Sequence, residues 1–436
     1  MVSSNILNPK GVSTMTYQNT YDIIVLGGGF TGCAAAEAAA RQGKSVLLLE
    51  ASGYLGGAAS NCLIYPFMCW WTRIDDGNGG HQRHDLSRGL FTEYHSELMN
   101  RGGFKDETLK VILDERMTAA GVQVLFHASL CGVEKDGAHI TSVSAATKAG
   151  ILTFYAKMFI DCTGDADLCV MAEVPTKLGR EADELCQPMT LCFRVCNVDK
   201  NAFFAARQIW QTKYKEWQAE GRITNPREDI LVFDHPIEGV LHFNTTRIVK
   251  HNPVDPFDVT KAEMEARRQV IEIMDFFREN NIPGMEHARL VYTAPSIGVR
   301  ESRMLIGDYV LTGEDLVACT KFDDAIAAGN YDIDIHNPEG SGTSHYYFPE
   351  GTWYTIPYRS LIPKAEDADN LLVGGRCISV NHEAQASIRI MPICATTGEA
   401  AGIGASVAID GATTVQKADV ARIQAILTEN GAYTGL

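Results

Sequence analysis

Three glycines and one acid form the arrangement in this chain best suited to chemistry. Gly27, Gly29 and Gly32 stand in G-x-G-x-x-G spacing, and Glu50 follows eighteen residues after the last of them. The spacing suits a dinucleotide. Gly27 makes a tight turn, Gly29 lets backbone approach a pyrophosphate, and Gly32 allows a helix to lie close on a strand. The pyrophosphate would rest on the helix start at Phe30 and Thr31, where unpaired N–H groups and the helix dipole favour negative charge. Glu50, with Ala51 beside it, would accept hydrogen bonds from ribose hydroxyls. No arginine follows Glu50 closely, so a ribose 2′-phosphate is disfavoured.

The elements that position these residues follow from hydrophobic pattern. Ile23–Leu26 reads as a buried strand, the alanine-rich stretch Cys33–Ala40 as a slim helix, Gly43 as its stop, and Val46–Leu49 as a second strand. A second glycine turn follows at Gly53, Gly56 and Gly57. Residues 61–105 mix aromatics with glycine and histidine and read as a long functional loop leading into a helix near Leu90–Met99. A helix over Thr108–Ala120, stopped by Gly121, precedes a strand at Val122–Phe126. Gly132–Ile160 reads as a β-meander with turns at Asp136-Gly137 and Ala149-Gly150. The next strand breaks at Thr163, Gly164 and Asp165.

The middle of the chain has another texture. Short strands (Met189–Val195, Ile230–Phe233, Val240–Phe243) are interleaved with amphipathic helices near Phe203–Glu220 and Thr260–Asn280, and no glycine fingerprint occurs there. Asn370–Val373 then returns to a strand ending in glycines. A loop over Val380–Ile390 and a helix from near Pro392 follow. The expected organisation is a tail over 1–20, a dinucleotide-binding domain over 21–185 and 366–416, an inserted substrate domain over 186–365, and a C-terminal helix over 417–436.

Composition narrows the function. A net charge of −16 over 436 residues argues against nucleic acid or an anionic membrane surface as the main partner. Apolar runs fall short of the roughly 20 residues that span a bilayer. The polar first twenty residues lack the pattern of a signal peptide. Twelve cysteines lie scattered without a CxxC pair or a zinc or iron–sulfur spacing. Reduced thiols in a cytoplasmic protein without a bound metal are the expectation.

Three glycine-marked strand ends, spread from residue 26 to 402, suit an extended FAD better than a compact nucleotide. Here the sequence resembles the FAD-dependent oxidoreductases of the glutathione-reductase-type fold, in particular a bacterial group with GRCIS…HEAQAS near the C-terminus. The resemblance rests on DIIVLGGGFTG, LGGAAS (55–60), IDCTGDADL (160–168), QPMTLCFRV (187–195), SIGVRESR (296–303), IPYRSLIP (356–363) and NLLVGGRCISVNHEAQASIRIMP (370–392), together spanning about residues 20–415. It implies an α/β fold: a Rossmann-like FAD-binding domain with a β-meander, interrupted by an α+β substrate domain. It also implies FAD as the cofactor. Gly27, Gly29, Gly32 and Glu50 would hold the ADP half, and Gly56, Gly57 and Ala58 would line the path toward the ring. Leu130 would offer its backbone to the adenine. Thr163, Gly164 and Asp165 would close the site, Gly375 and Arg376 would meet the pyrophosphate and ribityl chain, and Ile390 would stand at the start of the helix beside the ring. Two departures are Gly374, where that group has alanine, and Cys62, where a small or apolar residue is expected.

The reaction expected is hydride transfer between flavin N5 and a small organic substrate, with a separate electron donor or acceptor and an oligomer left open. A flavin monooxygenase or oxidase and a non-catalytic FAD-binding module are the alternatives. Thr352–Pro357 resembles the WxWxIP of flavin-dependent halogenases, but Thr352 and Tyr354 occupy both tryptophan positions, which sets halogenation aside. His382 is the candidate acid/base, since a free imidazole titrates near neutrality; a structural histidine is the plainer alternative. Arg300, Arg303, Arg359 and Arg389 are candidates to clamp an anionic substrate, with salt bridges to Glu301 or Glu383 as the alternative. Cys62 would act as a thiol acid or attachment point, or simply be an inert buried cysteine. Pro392 suits the first turn of a helix whose positive end would favour reduced, anionic flavin.

Overall fold

The computed structural model describes residues 17–436; most of the expected tail lies outside the described residues. A seven-stranded mixed sheet organises the larger body. Thr20–Leu26 pairs in parallel with Val46–Leu49 on one side and with Gly150–Asp161 on the other. Gln123–Leu125 extends the sheet beyond Val46–Leu49. Gly150–Asp161 is long enough to serve two neighbours on its far edge. Its first half pairs antiparallel with His139–Thr147, and its end pairs in parallel with Leu371–Val373. The meander turns fall where the sequence places them, with Gly137 and Gly150 both at positive φ.

Apolar strands and an alanine helix explain the layering. The helix Phe30–Arg41 buries Ala34, Ala35, Ala38 and Ala39. Against it lies the 20-residue helix Met391–Asp410, of which residues 391–408 are buried. The two helices touch backbone to backbone. A Cβ at Gly398 or Gly402 would overlap the carbonyl oxygen of Thr31 or Ala35. Small residues here set the spacing between the helices.

The smaller body is a four-stranded antiparallel sheet of Val232–Asp234, Leu241–Phe243, Phe193–Cys196 and Arg289–Thr293, in that order. One face packs on the helices Arg207–Ala219 and Pro256–Glu279 through Phe243, Trp210, Phe276 and Phe277. Phe193 and Phe243 stack at 4.8 Å. Asp255 caps the longer helix, and Pro256 occupies its first turn. This second core draws on residues 189–297 together with Leu63, whereas Met304, Leu305, Tyr354 and Leu361 join the first core. The segment from 304 to 361 therefore sides with the larger body.

Two local expectations change. Residues 61–105 are not one loop: Trp71–Asp75 and His81–Asp85 form a hairpin. Arg83 lies over the rings of Trp70 and Trp71 at 5.0 and 5.3 Å, and Trp70 packs on His95 at 4.8 Å. The segment Val380–Ile390 is largely helical over His382–Ile388, capped by the Asn381 side chain. Among the described residues no helix is long and apolar enough to cross a membrane.

Candidate functional site: a cradle at the strand ends

The strand registers bring the motifs to one edge. Leu125, Leu49, Leu26, Asp161 and Val373 are successive partners across five parallel strands, so each chain segment leaves the sheet at the same level. Ligands of open α/β sheets bind at this carboxyl edge. Gly27 leaves at φ +94°, a conformation open to glycine, and a Cβ there would lie 2.5 Å from the Cys162 carbonyl oxygen. A Cβ at Gly32 would overlap the carbonyl oxygen of Gly27. Gly29 differs: a Cβ there would meet only the Gly57 Cα, at 3.7 Å. The first two glycines are demanded by the protein's own packing, while Gly29 borders open space.

The second glycine turn closes against the first. Gly29 and Gly56 form a parallel bridge, and the Gly56 N–H donates to the Gly28 carbonyl at 2.9 Å. Gly29 caps the helix Phe30–Arg41 without any side-chain partner. Phe30 itself points inward against Phe67 and Tyr94, which leaves only its backbone at the helix start. Glu50 accepts from the Gly28 N–H at 2.6 Å and from the Ser52 N–H at 2.7 Å. Each carboxylate oxygen keeps a further lone pair for a ribose hydroxyl. Ala51 and Ala58 are exposed beside these turns, and Leu130 lies in the strand Ser129–Asp136, paired with Ala145.

At the third strand end Asp161 is fully buried and accepts from Thr163 N–H and Oγ1 and from Cys169 N–H. Arg376 reaches across to Asp165 at 2.7 Å and to Ser302 Oγ at 2.9 Å, and its guanidinium lies over Gly164. Gly375 and Gly374 both pack on Thr31; a Cβ at 374 would lie 2.8 Å from Thr31 Cγ2, which accounts for glycine at that position. Ile390 caps the helix Met391–Asp410, with Pro392 in its first turn.

His382 begins a helix and is 4% exposed. Its Nδ1 lies 2.7 Å from Glu301 Oε1, while Glu301 Oε2 accepts from the Gln187 N–H at 2.9 Å. Burial works against a charged ring, but the hydrogen bond and charge of Glu301 outweigh it and raise the His382 pKa above its ordinary value. Glu301 thus partners a histidine, not the neighbouring arginines. Sequence reasoning missed this pairing although SIGVRESR carried the residue.

The four arginines separate. Arg303 is committed to the Asp165 carbonyl at 2.7 Å and to the Asp167 carboxylate, and Arg359 forms a fork with Asp324 near the surface. Neither is free to clamp a substrate. Arg300 and Arg389 come together with Arg227 and Arg247 around Asp334. No sequence spacing links these four, which explains why the last two escaped notice. Cys62 hydrogen-bonds weakly to the Ile297 carbonyl at 3.6 Å, and burial pushes its thiol up to about 12. It is a neutral thiol, unsuited to nucleophilic attachment.

The profile of the FAD dependent oxidoreductase family matches residues 22–427, and the chain belongs to that family. Its cofactor is FAD, for which the open Gly29 turn, the uncapped helix and the aligned strand ends provide a fitting cradle. A 55-residue stretch is 44% identical to glutathione reductase of Schizosaccharomyces pombe, covering 13% of this chain and 12% of that enzyme. Among solved structures, a geranylgeranyl bacteriochlorophyll reductase-like protein from Thermoplasma acidophilum superposes with a TM-score of 0.44 at 14% identity, over 94% of this chain and 84% of the other. A myxobacterial chondrochloren halogenase gives 0.42 at 13% identity, over 95% and 79%.

Proposed function

We propose that the protein is a cytoplasmic oxidoreductase of the glutathione-reductase-type group that moves a hydride between FAD and a small organic substrate, with a separate electron donor or acceptor completing the cycle. The observation that carries this reading is the alignment of five parallel strand ends, with glycine turns following three of them and the acid Glu50 a fourth. Gly27, Gly29, Gly32 and Glu50 would hold the ADP half, and Gly56, Gly57, Thr163, Gly164, Gly375 and Arg376 the remainder. Bound FAD supplies the hydride acceptor or donor. The chain supplies the proton traffic and the electrostatics. Glu301 holds His382 through Nδ1 and favours its charged form, which suits the ring to donate a proton. The start of the helix Met391–Asp410 offers unpaired N–H groups to developing negative charge.

The test is flavin reduction under anaerobic conditions with candidate hydroxy acids, sugars and amines. His382→Ala should keep its FAD yet slow reduction by the substrate on the order of 10²–10⁴-fold, and its pH–rate profile should lose the limb assigned to the imidazole. Equal rates and unchanged pH dependence in the variant would remove His382 from the reaction.

A further inference from the structure

The four arginines that gather near Asp334 are unequally paired. Arg389 donates to the Asp334 carboxylate at 3.3 Å and to its carbonyl at 3.1 Å. Arg227 pairs with Asp229 at 3.1 Å, and Arg247 reaches Glu228 at 3.4 Å along with the carbonyls of Gly340 and Gly342 and the Thr343 hydroxyl. Asp332 is hydrogen-bonded to His345 at 2.6 Å, and its carboxylate lies within 4.8 Å of that of Asp334. Arg300 has no carboxylate. Its Nη1 donates to the Pro188 carbonyl at 2.6 Å and to Thr190 Oγ1 at 2.5 Å, and its Nη2 to Asn244 Oδ1 at 3.5 Å. All three acceptors are neutral. His336 adds no charge, since burial and the nearby Arg300 push its pKa down to about 3. Arg300 is thus the one guanidinium of the four whose charge meets no carboxylate partner.

Such a charge, partly buried, is costly without a counter-ion. Burial and the neighbouring Arg389 and Arg227 push the Arg300 pKa down to about 9, and the opposing charge of Asp334 does not offset them. The Arg389 Nε is likewise buried without a partner. The position is close to the cofactor turns. Thr190 and Gly298 exchange backbone hydrogen bonds, and a Cβ at Gly298 would lie 3.5 Å from the Cβ of Cys62, which closely follows the Gly56-Gly57 turn. On its other side the Arg300 carbonyl accepts from Gln385 at 2.7 Å, on the helix that begins with His382.

We infer that Arg300 is the receptor for a single carboxylate on the substrate, so that the enzyme acts on small monocarboxylic acids. The planar fork of a guanidinium matches a carboxylate. A second negative charge, as in a dicarboxylate or a phosphate dianion, would be left facing Glu228, Asp229 and Asp334 without compensation. The inference rests on the reading of the protein as an FAD-dependent oxidoreductase with its substrate beside these turns.

The experiment uses the FAD-loaded protein, with loading scored by its visible absorbance before any ligand is added. Butyrate, butyramide, succinate and inorganic phosphate are titrated separately, followed by calorimetry and by the shift in unfolding temperature. Butyrate should bind and stabilise, with the other three at least about tenfold weaker. Arg300→Met should abolish that preference, and Arg300→Lys should retain a weakened form of it, since a point charge replaces the fork. Equal binding of butyrate and butyramide, preference for succinate or phosphate, or absence of butyrate binding to the loaded protein would overturn the inference. A protein that takes up no FAD would instead overturn the functional reading, and the first measurement shows which has failed.

Discussion

The two halves of the candidate site are built from different materials. At the strand ends the cofactor cradle is made of backbone: glycine turns, a helix start and a carboxylate that holds a backbone N–H. Around Asp334 the site is made of long charged side chains drawn from residues 227 to 389. The first is specified locally, because each glycine answers to a neighbour only a few residues or one strand away. The second exists only after the whole chain has folded, since its members share no spacing. A backbone cradle resists variation; a side-chain layer can be retuned one charge at a time.

Within the cradle the glycines themselves divide, and this gives the largest expected effect. Gly32→Ala places a Cβ against the Gly27 carbonyl oxygen, so the turn cannot close even without cofactor. The variant should fail to give a cooperatively folded protein, as read by its unfolding transition. Gly29→Val has room within the protein but fills the space left for a pyrophosphate. It should fold yet bind no FAD. A folded Gly32→Ala, or a Gly29→Val that holds flavin, would erase the distinction between packing glycine and ligand glycine.

Legibility in the sequence follows the same line. The strand–glycine–helix unit, Glu50, the meander turns at Gly137 and Gly150, and the helix stop at Gly121 could all be read because each is a short-range conflict that one residue type resolves. His382 could be singled out by chemistry, but not its helix or its partner: Asn381 caps that helix, and Glu301 comes from 81 residues away. Arg303 and Arg359 illustrate the opposite error. A guanidinium in a motif signals an anion, and only the fold shows whether that anion is Asp167, Asp324 or a substrate. Residues 61–105 read as a loop because a hairpin of charged residues, largely exposed, shows little alternation of apolar and polar side chains.

Glu399 offers a test on the other face of the cradle helix. It is 1% exposed, and its Oε2 accepts from the Leu90 N–H at 2.9 Å. Burial raises its pKa to about 7. The unfolded carboxyl titrates near ~4.3, so the folded state holds the proton more tightly between the two values. The associated stability is fully present below ~4.3 and is lost as pH rises to about 7. The amplitude is on the order of 3 kcal/mol. Glu399→Gln keeps an acceptor for Leu90 and should flatten the pH dependence of denaturant unfolding across this window. A variant that follows the wild-type slope would show that another group sets it.

The smallest effect concerns the contact between the third strand end and the first helix. Gly374 stands between Val373 and Gly375 at the strand end, and a Cβ there would lie 2.8 Å from Thr31 Cγ2. That neighbour is a buried methyl on a helix whose backbone is pinned by Gly398, so it has little freedom to give way. Gly374→Ala should therefore destabilise by roughly 1–3 kcal/mol, the usual cost of overpacking. Thr31→Ser removes the obstructing methyl and keeps the hydroxyl that faces Gly375. The pair should couple: Gly374→Ala in the Thr31→Ser background should cost about 1 kcal/mol less than in the wild type, a difference within reach of a double-mutant cycle. Strict additivity would mean that Thr31 is not what excludes a side chain at 374, and that the glycine serves the cofactor instead, in which case FAD affinity would fall with Gly374→Ala in both backgrounds alike.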